Sequence, residues 1–88
     1  MNTIDEFIKK LAGNPEIKKI NSRKLLHNTA DMFERYGYYA TRVFLRTRRG
    51  EEPKILITIL DQMESENIPR DVKIMIIKNL TIFKGRRR

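Results

Sequence analysis

The sequence predicts an all-α fold, a small bundle of about four helices. Three observations predict it. Apolar residues recur three or four positions apart through most of the chain. Helix-start residues (Thr3, Ser22, Pro53, Pro69) and stop residues (Gly13, Gly85) bracket those stretches. Apolar residues make up 40% and charged residues 34% of the 88, a balance that suits a folded domain with a modest core. With no cysteine, that core must close by packing or against a partner, and no thiolate metal site exists.

The first helix is expected from Thr3, with Thr3-Ile4-Asp5-Glu6 as a capping box. Ile4, Phe7, Ile8 and Leu11 share its face, and Gly13-Asn14-Pro15 ends it. A second helix opens at Asn21 or Ser22, either of which can cap it. The set Leu26, Ala30, Phe33, Gly37, Ala40, Phe44 keeps the helical period across Gly37, so one long helix to about Thr47 fits, with a soft point at the glycine. A third helix carries Glu51-Glu52 and Pro53 in its first turn and buries Leu56, Ile59, Leu60 and Met63. After the turn Ser65 to Ile68, Pro69 opens a fourth. Val72, Ile76, Leu80 and Phe83 line its face, and Ile74, Met75, Ile77 and Ile82 widen it toward a second burial surface or a partner.

Residues 39–59 also admit an α+β reading. Tyr39 to Thr47 alternates like a strand, Arg49 to Pro53 can turn, and Ile55 to Ile59 can return as a hairpin. Helix is preferred because the return segment continues into the helix-forming Leu60-Asp61-Gln62-Met63-Glu64.

The two halves resemble each other: Ile4 to Ile8 matches Ile55 to Ile59, and the stretch from Asn21 to Phe33 matches that from Pro69 to Phe83. Two HEAT-like helical hairpins would follow. The run Glu52-Pro53, Ile59-Leu60-Asp61-Gln62-Met63 and Asn67-Ile68-Pro69-Arg70-Asp71-Val72-Lys73 further resembles a small helical archaeal family. Members of that family accompany the replicative B-family DNA polymerase as accessory subunits. They carry a Leu-Asp-Glu stretch, where this chain has Leu60-Asp61-Gln62, and an Asn-(apolar)-Pro turn into a helix. The resemblance covers about 30 of the 88 residues and leaves the first half and the arginine clusters without a counterpart. It implies an all-α scaffold that supports a DNA polymerase or another replication complex.

Charge points to function. The net charge is +8, of which Arg35 to Arg49 supplies +5 and Lys84 to Arg88 supplies +4, leaving −1 for the rest. The central stretch has five arginines, three tyrosines and no acid. An excess this local marks a surface for an anionic partner. The spacing of Arg35, Arg42, Arg46 and Arg49 would place them in one row along a helix, where guanidinium forks match phosphate oxygens. Arg48 and the tail residues Lys84, Arg86, Arg87 and Arg88 add contacts. Tyr36, Tyr38 and Tyr39 can stack on unpaired bases or finish the edge of the core. Residues 1–83 are expected as one helical domain and 84–88 as a basic tail, of which Arg86 to Arg88 are expected to be disordered in the free chain.

Catalysis is not expected. His27 has neither a cysteine nor a second histidine to share a metal. Asp61, Glu64 and Asp71 could gather as a nuclease-like cluster, but Asp71 reads better as a charge at a helix N-terminus. There is no phosphate-binding glycine loop and no nucleophile with a partner base. No cofactor or small-molecule substrate is expected. No apolar run approaches the roughly 20 residues of a membrane span, and the acids between Met1 and Leu11 argue against a signal peptide. The expected location is the cytoplasm and no membrane partner is foreseen.

The sequence therefore anticipates a non-catalytic nucleic-acid-binding accessory subunit of a larger complex, for DNA or RNA. Two other readings stand beside it: a ribosomal or other ribonucleoprotein component, and a protein-interaction module or inhibitor docking on an acidic partner.

Overall fold

A computed structural model describes residues 3–84 of the chain. They form six α-helices and one 3₁₀ turn, with no strand among the described residues. The all-α expectation holds and the 39–59 hairpin does not form. Helices occupy both of its arms, because each arm has an apolar face at helical period to bury.

α1 (Thr3–Ala12) buries Phe7 and Leu11 and starts on Thr3 itself, the residue expected to cap it. The segment Pro15–Lys19 then winds as a 3₁₀ turn, capped by the Asn14 side chain, which accepts from the Glu16 amide at 2.9 Å. Ile17 and Ile20, three apart as the 3₁₀ period requires, are fully buried.

α2 (Arg23–Tyr36) is capped by Ser22, whose Oγ accepts from the Leu25 amide at 3.1 Å. The Ser22 amide donates to Glu52 at 3.2 Å, tying this end to the next half of the chain. α2 stops at Gly37, and α3 (Tyr38–Arg46) begins at once. Gly37 has φ 91° and ψ −171°, a backbone region essentially reserved for glycine. The expected continuous helix is therefore two.

The break resets the helical phase by one residue. The inward positions of α2 are Leu26, Thr29, Ala30 and Phe33. Continuing that period would bury 37, 40 and 44, but α3 buries Thr41 and Leu45 instead. Both buried threonines are satisfied locally, Thr29 Oγ1 donating to the Leu25 carbonyl and Thr41 Oγ1 to the Gly37 carbonyl, each at 2.7 Å.

Gly50, with φ 105°, turns the chain into α4 (Glu51–Ser65), the central helix. It buries Pro53, Ile55, Leu56, Ile59, Leu60 and Met63. Its exit is a Schellman motif. Asn67 takes φ 57°, its amide bonds the Glu64 carbonyl, and the amide of buried Ile68 bonds the Met63 carbonyl. Pro69 follows, where the helix cannot resume.

The expected fourth helix is also two: α5 (Arg70–Lys78) and α6 (Leu80–Lys84). Asn79 interrupts them, its Nδ2 donating to the Met75 carbonyl at 2.8 Å and competing with the helical ladder. The buried face is Lys73, Ile76, Ile77 and Leu80, while Val72 and Phe83 are half-buried and Met75 and Ile82 exposed. Lys73 was not foreseen in the core. Its stem lies among apolar side chains, and its ammonium meets Glu64 at 2.5 Å and sits 5.6 Å from the Phe33 ring centroid.

The closest packing runs α2 on α3, α3 on α4 and α2 on α5. The halves thus interlock instead of forming two self-contained hairpins. Of the pairs matched by the repeat, α2 and α5 lie against each other. The consequence for the site is that α3 lies against both α2 and α4, with one face outward.

Candidate nucleic-acid interface

The one-residue phase shift at Gly37 decides what α3 shows to solvent. Tyr39, Val43 and Arg46, spaced at four and three, form its outward stripe. Tyr39 is 80% exposed and Val43 59%. Tyr36, in the last turn of α2, is 65% exposed. Tyr38, Tyr39, Arg42, Val43 and Arg46 line a shallow surface recess.

The anticipated arginine row does not form as one line. Arg35 belongs to α2, and its Nε donates to Asp31 at 3.1 Å, one helical turn earlier. Arg42 points toward α4. Its Nε and Nη2 donate to the two carboxylate oxygens of Asp61, each at 3.0 Å, a side-on bidentate pair. The Tyr38 hydroxyl donates to the same carboxylate at 2.6 Å. Arg49 lies past the end of α3, so the helical spacing does not reach it.

Arg46, Arg48 and Arg49 remain available. All three are exposed, and no described carboxylate pairs with them. Arg46 sits in the last turn of α3, where a cation is favoured by the helix dipole. The Arg48 guanidinium lies over the Phe44 ring, 4.7 Å from its centroid, which holds the fork in place without neutralising it. The acids that follow in sequence are engaged elsewhere: Glu51 with Lys19 at 2.9 Å, and Glu52 with the Ser22 amide. Arg70 adds a cation that sequence reasoning missed. Its Nη2 donates to the Glu34 carbonyl at 2.7 Å, two residues before Tyr36. No sequence signal places it there, because the contact spans 36 positions. Lys84 closes α6, and Arg86, Arg87 and Arg88 lie outside the described residues.

The Tyr38–Asp61–Arg42 group has a definite electrostatic character. The hydrogen bond from Arg42 holds the Asp61 carboxyl below the usual carboxylate range, outweighing the opposing effect of burial. The hydrogen bond to Asp61 raises the Tyr38 phenol, and the same pair raises Arg42. A depressed carboxyl contributes stability above its unfolded pKa of about 4 and loses it as pH falls through the folded value. A raised phenol contributes below about pH 10 and loses it as pH rises through the folded value. Asp61→Asn should therefore be less stable than the parent at neutral pH, with the gap narrowing below about pH 4. Urea unfolding at stepped pH measures this. A gap that stayed constant into acid would show that the carboxylate charge is not what holds Arg42.

The other candidates separate. Asp61 is held by Arg42, Glu64 by Lys73, and Asp71 lies 3.7 Å from Arg70, so they do not gather. Among the described residues no three His, Cys, Asp or Glu side chains are placed to share a metal ion. His27 is exposed on α2 in a groove with Arg23, Lys78 and Thr81. Among the described residues no helix is long and apolar enough to cross a membrane. No family model matches the chain, and neither a curated protein nor a solved structure matches it.

Proposed function

We propose that the chain is a non-catalytic nucleic-acid-binding subunit that grips phosphates with Arg46, Arg48 and Arg49 and works within a larger complex. The observation that carries this reading is the arginine cluster itself. Three cations fall within four residues, without a described carboxylate partner, at the end of a helix that has no acid. Paired arginines would have to give up a carboxylate before taking a phosphate; these need not. Arg35 and Arg42 are matched by Asp31 and Asp61 and add little net charge, so the cluster itself carries the field. The basic tail is assigned the same role as the cluster.

The reading stays non-catalytic because the acids that metal-assisted chemistry would use are tied to Arg42 and Lys73. The resemblance of residues 52–73 to polymerase accessory subunits makes a replication complex the first place to look. The exposed Met75 and Ile82 give such a complex an apolar contact.

The test is fluorescence anisotropy against labelled duplex DNA, single-stranded DNA and a structured RNA at about 100 mM salt. At least one should bind, and the tightest names the complex: a strong preference for structured RNA points to a ribonucleoprotein. Absence of binding to all three, with a discrete acidic protein captured instead, would replace this reading with protein docking.

A further inference from the structure

The geometry points to unpaired nucleotides as the ligand of the α3 face, with Tyr39 as the platform on which a base stacks. The inference rests on the nucleic-acid reading above and deepens it.

Its first support is the cost of the arrangement. The Gly37 break turns Tyr39 and Val43 outward while Thr41, a polar residue, goes into the core. Folding alone gains nothing from exposing a tyrosine by 80%. The second support is that the ring is braced. Tyr39 meets the Tyr38 ring edge-on, with centroids 5.0 Å apart and planes at 65°. Tyr38 is fixed by its hydroxyl on Asp61, and Asp61 is fixed in turn by Arg42. The bidentate pair that withdraws Arg42 from the phosphate row thus helps hold the aromatic platform. An exposed ring held this way loses little side-chain entropy when a flat partner lands on it.

The third support is what surrounds it. Val43 extends the apolar surface by one turn, and Arg46 ends the stripe about 10 Å from Tyr39 along the helix, at a rise of about 1.5 Å per residue. Aromatic face, apolar floor and cation in line are the ingredients of single-strand binding, where bases stack and phosphates pair. A duplex hides its base faces and leaves Tyr39 without a partner. An acidic protein would satisfy the arginines but offers no succession of flat base faces in line with its charges.

The experiment compares oligo(dT), oligo(U) and a duplex carrying the same number of phosphates, using the full chain and its Tyr39→Ala, Tyr39→Phe and Arg46→Ala variants. Either single strand should bind at least about tenfold more tightly than the duplex. Tyr39→Ala should weaken single-strand binding by roughly 5- to 100-fold, the loss of one stacked base. It should leave the salt dependence unchanged, because no phosphate contact is removed. Tyr39→Phe should keep most of the affinity, since stacking needs the ring and not the hydroxyl. Arg46→Ala should reduce the salt dependence. The chain has no tryptophan, so its emission comes from tyrosine, and single-strand binding should quench it more in the parent than in Tyr39→Ala. Tyr39 is exposed, so its variants should fold as the parent does.

Equal affinity for duplex and single strand, with Tyr39→Ala silent, would overturn the platform while leaving the phosphate-binding reading intact. No binding of any nucleic acid would overturn both. The relative affinities for oligo(dT) and oligo(U) show which strand the site prefers, and oligo(dU) against oligo(U) separates the sugar from the thymine methyl.

Discussion

Replacing Arg46, Arg48 and Arg49 together by alanine is expected to weaken nucleic-acid binding by about a hundredfold or more near physiological salt. Each phosphate neutralised by a cation contributes roughly 0.7 to 0.9 to the slope of log K against log salt. Losing three contacts should flatten that slope by about 2 to 3. The fold should persist with a loss of at most about 1 to 2 kcal/mol, because all three side chains are exposed and only the helix-end placement of Arg46 and the Arg48–Phe44 contact are removed. Circular dichroism and urea unfolding of the triple variant check that point independently. The contrast is Arg35→Ala, whose guanidinium is already paired with Asp31, and which should cost less. If the triple variant binds as the parent does, phosphate contacts lie elsewhere, with the tail as the first alternative.

Gly37→Ala is expected to destabilise the protein by about 1 to 3 kcal/mol, with the loss arising entirely in the backbone. A Cβ built at Gly37 meets nothing within 4 Å, so no steric clash contributes. The cost is that of holding an L-residue at φ 91° and ψ −171°. The chain has one way to escape this strain, which is to continue α2 through residue 37. That would rotate α3, draw Tyr39 and Val43 off their outward stripe and separate Tyr38 from Asp61. Binding should therefore fall along with stability. Gly13→Ala is the control. Gly13 is not in the left-handed region, and its Cβ would meet the Lys9 and Lys10 carbonyls only at 3.7 and 3.8 Å. It should be neutral, or stabilising by up to about 1 kcal/mol. A Gly37→Ala protein as stable as Gly13→Ala would mean that the break is not held by the glycine.

The parts of the fold written in local chemistry could be read from the sequence. Ser22 caps α2, Glu51 to Pro53 open α4, and Asn67 followed by Pro69 ends it, each through contacts within a few residues. The α4 core face came straight from its period, since Leu56, Ile59, Leu60 and Met63 are all buried. Gly37 misled because Ala40 and Phe44 prolong the α2 period and both end half-buried. The true inward position is Thr41, which a search for apolar residues passes over. Asn79 misled in the same way, since its interruption depends on a side-chain bond to Met75 that leaves no mark on hydrophobicity. Asn14-Pro15 has the residues of a helix stop, and the same two residues cap and open the 3₁₀ turn that follows.

The site was legible as a charge and not as a geometry. The acid-free stretch from Arg35 to Arg49 stands out by counting alone. Which of its arginines are free does not, because Asp61 reaches Arg42 across 19 positions and Arg70 reaches Glu34 across 36. The pair between buried Lys73 and exposed Glu64 was missed for a related reason. A lysine at a helical core position is legible as buried only once its partner on another helix is known.

The most direct test of the account is the salt dependence of binding by the unmodified chain to its tightest nucleic-acid ligand. A linear fall of log K with log salt, with a slope of about −2 or steeper, is the predicted result, since on the proposed reading three unpaired arginines would neutralise about three phosphates. A slope near zero, or no measurable binding even at about 50 mM salt, would contradict it. The arginines of this chain would then serve something other than a phosphate backbone.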